Sequence, residues 1–149
     1  MKIRLLVSEK HYESLRLKLE QAGFSVDDEA PFVLSEAGEW PDFLGVRNRV
    51  GDKLRIRTDS IIFIESYGHN VEIHTPEGVY ASRDRLYQLA AFLDPGAFIR
   101  ISQSVIIARK HVKKIRPSLS KKFVLTLSDG TLVDVTRSYY SAFREFFGI

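Results

Sequence analysis

The sequence predicts a mainly β domain with two helices over residues 41–149, preceded by a small strand–helix–strand segment over residues 1–40. Three observations predict this class. After residue 41, short apolar runs rich in branched residues alternate with turns that contain glycine, proline or aspartate. Only two stretches of that part carry apolar residues at the helical spacings of three and four. The chain has 149 residues, of which 44% are hydrophobic and 28% charged, as in an ordinary globular protein.

The N-terminal segment begins with a predicted strand at Lys2–Val7. Ser8 is a suitable N-cap for a following helix, and Gly23 is a suitable residue to end it. The apolar face of this helix consists of Tyr12, Leu15, Leu19 and Ala22. One or two further short strands are predicted at Phe24–Val26 and Phe32–Leu34. Because a unit of about 40 residues usually lacks a sufficient core, we expect it to pack on the rest of the chain or on a second copy.

A junction is predicted near residue 40, where Gly38 and Pro41 interrupt the pattern. The charge balance also changes there. Residues 1–40 carry five basic and eight acidic residues, whereas residues 41–149 carry 17 basic and 11 acidic ones. The formal net charge of +3 is therefore the sum of a negative segment and a positive domain.

The positive charge is concentrated in one stretch. No acidic residue occurs between Asp94 and Asp129, while eight basic residues do. They are Arg100, Arg109, Lys110, Lys113, Lys114, Arg116, Lys121 and Lys122. Such a block is typical of a protein that binds a polyanion, and the alternative is a solvated surface with random clustering.

The first half of the domain is predicted to consist of antiparallel strands. Apolar residues within Leu44–Ile56 flank a Val-Gly-Asp turn. Ser60–Glu65 encloses a continuous apolar run, as in a strand buried on both faces. Val71–Thr75 alternates between apolar and polar residues and returns through a Pro-Glu-Gly turn to Val79–Ala81, which indicates a hairpin.

The second half combines both predicted helices with short strands. The first helix has an apolar face of Leu86, Leu89, Ala90 and Leu93. Short strands are predicted at Phe98–Ile101 and Val105–Ala108. An Asp-Gly turn joins Phe123–Leu127 to Leu132–Val135, which is the strongest hairpin signal in the chain. The second helix begins at about Ser138.

The sequence contains no recognisable catalytic or metal-binding motif. The absence of cysteine excludes disulfides, thiolate zinc sites, iron–sulfur clusters and a cysteine nucleophile. Phosphate-binding loops, dinucleotide fingerprints and nucleophile elbows are also absent. The four histidines do not occur at the spacing of a metal motif. We therefore predict no enzyme activity, cofactor or metal.

Several polar residues in predicted connections favour nucleic-acid binding, which needs cations for phosphates and planar polar groups for base edges. The candidates are His69, Asn70, Arg109, Lys110, Arg137 and Ser138. The Ser138 hydroxyl and the N-terminus of the last helix are suited to hold a phosphate. Each residue also has an ordinary structural interpretation, such as a surface ion pair for Arg137 or a turn for Asn70.

Taken in order, these elements resemble the LytTR-type DNA-binding domain of bacterial response regulators. The matching stretches are Asp59–Glu65, Val71–Thr75, Phe98–Ile101 with Ser104, the apolar run before Arg109, the Asp129–Gly130 turn and Val135–Arg137. The resemblance covers residues of about 41 to 149 and rests on the order and spacing of these stretches. It implies an elongated, mainly β fold that binds short direct repeats in duplex DNA, with loops in successive major grooves.

Carried over by position, the resemblance implies three contact regions. Together with their neighbours they comprise His69, Asn70, Arg100, Ser102, Gln103, Ser104, Arg109, Lys110, Arg137 and Ser138. Two positions depart from the family. Ser102–Ser104 stands where a His-Arg-Ser or similar triplet is common, and Ile107–Ala108 stands where Val-Asn is common. The missing asparagine removes an expected base contact, so we expect a different target sequence or compensation by Arg109.

The leading hypothesis is therefore a sequence-specific transcription regulator that binds double-stranded DNA as a homodimer, since tandem half-sites suit a dimer. We expect it in the cytoplasm, because no apolar run suits a membrane span or a signal peptide. Residues 1–40 are too short for a phosphoacceptor receiver domain, so we expect them to mediate dimerisation or to sense a regulatory protein partner. The alternative is a protein-interaction module or anti-regulator that acts through this segment. RNA binding ranks third and a small enzyme last.

Overall fold

The computed structural model describes residues 1–149 and confirms the mainly β class, with three sheets and three α-helices. The helices are α1 (Glu9–Gln21), α2 (Leu86–Phe92) and α3 (Tyr140–Phe147). The strands are β1 (Lys2–Leu6), β2 (Ser25–Val26), β3 (Val33–Ser35), β4 (Phe43–Arg47), β5 (Lys53–Arg57), β6 (Phe63–Tyr67), β7 (Asn70–Thr75), β8 (Gly78–Ser82), β9 (Phe98–Arg100), β10 (Val105–Ala108), β11 (Val112–Ser118), β12 (Lys122–Leu127) and β13 (Leu132–Val135). None of the helices combines the length and the apolar character that a membrane crossing needs.

The N-terminal sheet is parallel, with the strand order β2-β1-β3, and α1 packs on one of its faces. The other face contacts the rest of the chain, because Leu6 belongs to the main hydrophobic core. Arg4 is only 7% exposed. Its Nε donates to the Ala30 carbonyl at 3.1 Å and its Nη1 to Asp84 Oδ2 at 2.8 Å. The segment therefore packs on the rest of the chain, as expected for a unit too small to bury its own core.

The main sheet has seven antiparallel strands in the order β5-β4-β8-β7-β6-β10-β9. One of its faces and α2 enclose the first core cluster. The apolar run before Glu65 is buried on both faces, as predicted. Ile61 and Ile64 belong to this first cluster, whereas Ile62 and Phe63 belong to a second one.

The third sheet, with the order β11-β12-β13, forms the second core cluster together with α3. Phe143 of α3 is fully buried there. Its ring lies 5.2 Å from that of Phe123 and 4.7 Å from that of Phe147, measured between centroids. Helix α2 therefore packs on one face of the seven-stranded sheet, and the third sheet and α3 pack on the other face.

Two element boundaries differ from the predictions. Ser60 lies in a 3₁₀ turn (Thr58–Ser60), and the strand begins only at Phe63. A second 3₁₀ turn (Arg137–Tyr139) precedes the last helix, which begins two residues later than predicted, at Tyr140. Tight turns of this kind are frequent at helix ends and in connections, and they leave little trace in apolar spacing.

Three side chains of the predicted helices also differ from expectation. Ser8 stands at the N-cap position of α1, but its hydroxyl makes no capping bond and instead contacts the carboxylates of Glu36 and Glu39, both at 3.1 Å. Ala22 and Ala90, which were predicted on apolar faces, are exposed. A helix end and a short helix bury only the residues that face the sheet directly.

Candidate nucleic-acid interface

Two of the predicted contact loops lie side by side at one end of the seven-stranded sheet. The turn Gly68–His69 joins β6 to β7, and the loop Ser102–Ser104 joins β9 to β10. Since β6 and β10 are antiparallel neighbours, the end of β6 meets the start of β10. The backbone N–H of Ser66 donates to the Ser104 carbonyl at 2.9 Å. We call this end of the strands, together with both loops, the loop end.

Arg137 lies at the loop end as well. The backbone N–H of Thr136 donates to the Ile101 carbonyl at 3.0 Å, immediately before the Ser102–Ser104 loop. The Arg137 side chain is exposed and has no hydrogen bond or ion pair within the protein. A guanidinium without intramolecular partners is free to bind a phosphate or a guanine edge.

The β11–β12 hairpin brings further cations to the same place. The register pairs Phe123 with Val135, so the tip of this hairpin lies beside the turn that contains Arg137. Lys121 and Lys122 are exposed at the tip, and the backbone of Lys121 is left-handed, with φ of 55°. This tight turn presents two ammonium groups next to the loops.

Strand β11, which carries the centre of the basic block, was not predicted from the sequence. Ile115 is its only half-buried residue besides Val112, and Pro117 is unusual in a strand. Proline is tolerated here because β11 is an edge strand of its sheet. The sequence does contain the alternation of a strand. Lys114 and Arg116 lie on the exposed face, and Ile115 between them in the chain lies on the half-buried face.

The Ser102–Ser104 loop is held in shape by two residues that were predicted to contact DNA. Arg100 donates from Nε to the Ser102 carbonyl at 3.1 Å and from Nη2 to the Gln103 carbonyl. Ser102 is 8% exposed, and its Oγ accepts the backbone N–H of Ser104 at 3.2 Å. Arg100 and Ser102 therefore position the loop, whereas Gln103 and Ser104 are exposed on its surface.

His69 and Asn70 are both exposed, as expected of residues that project from a turn. Only Gly68 and His69 form the turn itself, and Gly68 supplies its left-handed backbone with φ of 57°. Asn70 is the first residue of β7 and pairs with Tyr67 of β6. Ser138 is also exposed, but it lies inside the 3₁₀ turn and not at the N-terminus of α3, so that helix end offers it no phosphate site.

Arg109 and Lys110 do not lie at the loop end. They follow the last residue of β10, a strand of four residues about 13 Å long that separates them from the Ser102–Ser104 loop. The Arg109 guanidinium stacks over the rings of Phe146 and Phe147, at 4.8 and 5.2 Å from their centroids. Arg109 therefore fastens α3 to the sheet, and Lys110 is an exposed cation at the opposite end.

Ala108, where the family commonly has asparagine, is 2% exposed and lines a cavity of about 510 Å³ at this opposite end. Arg109 and Lys110 line the same cavity, together with Asp59 and Asp94. Residue 108 faces the interior of the protein. Its burial gives no support to the expectation that an asparagine at this position would contact a base.

The loop end carries the exposed cations Lys121, Lys122 and Arg137, and acidic residues lie further along the adjoining strands at Glu65, Glu72 and Asp134. Glu65 of β6 lies directly opposite Glu72 of β7 in the antiparallel ladder. The Tyr67 hydroxyl donates to Glu65 Oε1 at 2.7 Å, and this bond raises the pKa of Tyr67. His74 Nε2 lies 3.0 Å from the same oxygen.

Two groups of side chains have the donor atoms for a metal ion, although no metal was predicted. The first group consists of Glu65, Glu72 and His74 on the main sheet. The second consists of His11 in α1 with Glu36 and Glu39, which follow β3. In each group two residues are close in sequence, Glu72 with His74 and Glu36 with Glu39, and the third comes from a separate element. Sequence motifs for metal sites need all ligands at a characteristic spacing, so neither group could be recognised from the sequence.

Known transcription regulators share part of this sequence. The transcriptional regulatory protein LytR of Staphylococcus aureus (strain MW2) is 29% identical over 101 residues, which is 67% of this chain and 41% of that protein. The CO-responsive transcriptional regulator RcoM of Rhodospirillum rubrum is 30% identical over 95 residues, or 63% of this chain and 40% of that protein. The chain thus spans about two fifths of the length of these curated relatives.

A solved structure shares the fold. It is the LytTr DNA-binding domain of a putative methyl-accepting/DNA response regulator from Bacillus cereus, with a TM-score of 0.68 and 23% identity over 72% of this chain and 98% of that one. The family described as "LytTr DNA-binding domain" matches residues 52–148, a range that contains every strand and helix of the loop end. The chain therefore belongs to the LytTR family of DNA-binding domains.

Proposed function

We propose that this protein is a transcription regulator that binds duplex DNA through the loop end. The proposal rests on one observation. Three separate connections bring exposed polar side chains to the same end of a rigid sheet. They are His69, Gln103 and Arg137, flanked by Lys121. Loops fixed on a rigid scaffold are well suited to enter a groove with defined spacing.

The side chains divide by chemistry into base readers and phosphate binders. Arg137 and Gln103 offer planar donor groups of the kind that recognise guanine and adenine edges. Lys121 and Lys122 are flexible point charges suited to phosphates, which fix the position of a protein on DNA. Arg100 and Ser102 act indirectly, because they shape the loop that presents Gln103.

The proposed target is a pair of direct repeats, read in successive major grooves by two copies of the chain. Support comes from the family and from relatives such as LytR, whose name describes a transcriptional regulatory protein. We also propose that the protein acts in the cytoplasm, where its DNA lies.

A gel-shift titration against the DNA upstream of its own gene tests the proposal, with a scrambled duplex of equal length as the control. Specific binding should exceed scrambled binding, and log K should fall linearly with log salt at a slope of about −0.9 per phosphate contact. Equal affinity for both duplexes together with a flat salt dependence would refute it.

The N-terminal segment supports a second proposal, namely that it forms the interface with a second copy. Strand β3 lies at the open edge of its sheet with all three residues exposed. Phe32, Val33, Leu34 and Trp40 make that region exposed and apolar. An open, apolar strand edge is a template for pairing with another chain. A regulatory protein partner at this edge is the competing occupant.

Because Leu6 lies in the main core, deleting the segment would unfold more than the interface, so a point variant is the better test. Leu34→Lys should convert a dimer into a monomer in light scattering. Val50→Lys, at an exposed turn far along the chain, is the matched control. A monomeric wild-type protein would contradict self-association and leave a partner protein as the occupant.

A further inference from the structure

Glu65, Glu72 and His74 form a compact group of metal-ligating side chains on two rigid strands behind the loop end. Glu65 and Glu72 stand directly opposite each other in the β6–β7 ladder. One donor atom from each of the three side chains lies within 4.8 Å of the others. Sites built on strands hold their geometry better than sites on loops.

The carboxylates of this group lack a lysine or arginine partner. Like charges directly opposite each other in an antiparallel pair are destabilising. Elsewhere in the protein a partly buried carboxylate is matched by a cation: Glu29 contacts the guanidinium of Arg47 at 2.8 Å. No lysine or arginine lies within ion-pair distance of Glu65 or Glu72, and the only side-chain hydrogen-bond partner of His74 is Glu65. Glu72 makes no side-chain hydrogen bond or ion pair at all. A bound cation would remove this repulsion.

The orientation of His74 suits coordination. Its ring stacks on Phe63, with the centroids 4.0 Å apart and the planes at 10°. This contact fixes the ring so that Nε2 faces the carboxylates, at 3.0 Å from Glu65 Oε1. One imidazole nitrogen and two carboxylate oxygens, without sulfur, suit Zn²⁺ or Mn²⁺, whereas Mg²⁺ and Ca²⁺ prefer oxygen ligands alone.

We propose that Glu65, Glu72 and His74 bind a divalent transition-metal ion, and that this ion strengthens the binding of DNA at the loop end. The second part rests on the proposed function. Glu72 is only two residues from Asn70, about 7 Å along β7, so its charge is felt by a phosphate near the Gly68–His69 turn. Neutralising two carboxylates there removes a repulsion between protein and DNA.

The second histidine–carboxylate group serves as an internal control. His11 Nδ1 lies 2.7 Å from Glu36 Oε2. In contrast to the first group, its carboxylates already have partners, because Lys10 Nζ lies 2.7 Å from Glu39 and Ser8 contacts both glutamates. Glu39→Gln and Glu72→Gln therefore make the same change, a carboxylate to a neutral amide, in two groups of the same composition.

Calorimetric titration of the full chain with Zn²⁺ and with Mn²⁺ tests the site, and Mg²⁺ tests its selectivity. We expect one ion per chain for the wild type and the Glu39→Gln variant. Glu72→Gln should lower the affinity at least about tenfold, since removing even an outer-shell partner of a metal ligand typically costs that much. The Glu72 side chain makes no hydrogen bond or ion pair, so this variant should stay folded, which circular dichroism checks. Absence of wild-type binding, or binding lost only in Glu39→Gln, would overturn the site.

Fluorescence anisotropy with a labelled duplex tests the link to DNA. Zn²⁺ should raise the affinity of the wild type by about fivefold or more, which is the lower range of typical coupling between sites, and leave Glu72→Gln unchanged. Metal binding without any effect on DNA affinity would overturn the coupling. If no duplex binds at all, the proposed function fails, while calorimetry still decides the metal site.

Discussion

Replacing Arg137 with alanine separates a contact with DNA from a role in the fold. The side chain is exposed and has no partner in the protein, so the free energy of unfolding should change by less than about 0.5 kcal/mol. A bidentate arginine–guanine contact is worth about 1–3 kcal/mol of discrimination, which is about 5- to 150-fold in Kd. We therefore expect Arg137→Ala to weaken specific binding by that factor in fluorescence anisotropy, while urea unfolding stays close to the wild type.

Lys110→Ala is the matched control, because it removes the same charge from the opposite end of β10. Its affinity for the specific duplex should stay close to that of the wild type. If both variants lose affinity equally, general charge explains the binding and the loop end has no special role. If Arg137→Ala lowers the free energy of unfolding by more than about 1 kcal/mol, the reasoning that its side chain is unpartnered is refuted.

Three further predictions concern stability. Asp84→Ala removes the partner of the buried Arg4 guanidinium and should lower the free energy of unfolding in urea by about 3–5 kcal/mol, and a loss below about 1 kcal/mol would contradict it. Phe143→Ala empties a fully buried position and should cost about 3–5 kcal/mol, so an unchanged thermal midpoint would show that α3 is not docked as described. The hydrogen-bonded guanidinium of Arg47 lowers the pKa of Glu29 from 4.5 to about 2, so this pair stabilises the fold above about pH 4.5 and the contribution is lost as pH falls toward 2. Glu29→Gln should therefore flatten the dependence of Tm on pH in that range, and an unaltered slope would assign the acid sensitivity to other groups.

The elements that could be predicted are those with a strong local signal. Helix α1 follows from the apolar spacing and from Gly23, whose backbone is left-handed with φ of 93°. The β12–β13 hairpin follows from its Asp-Gly turn, and Gly130 is left-handed as well. Both signals depend only on neighbours in the chain, so no knowledge of the tertiary structure is needed.

The order of the strands could not be predicted in this way. Strand β4 joins β8 through a single paired position, Arg47 with Ala81, and β10 pairs with β6. These pairings join residues far apart in sequence, and periodicity carries no information about them. Strand β11 was missed for a different reason: its exposed face is basic, so its alternation resembles a charged loop.

The candidate interface shows the same division. His69 and Arg137 were predicted because each falls in a connection between clear elements, and the loop around Gln103 was predicted from the resemblance to the family. Arg109 and Lys110 were grouped with them, although these residues stand at the other end of β10. Which end of a strand a residue occupies depends on the direction of its neighbours in the sheet, and only the register shows that direction.

The central claim is that one end of the sheet binds DNA, and an NMR titration of ¹⁵N-labelled protein with its duplex tests it most directly. The backbone amide signals of His69, Gln103, Lys121 and Arg137 should shift together as the duplex is added, while those of Lys110 and Gly130, at the opposite end, stay in place. Shifts centred on Lys110 and Gly130, with the signals of the loop end unmoved, would contradict the account.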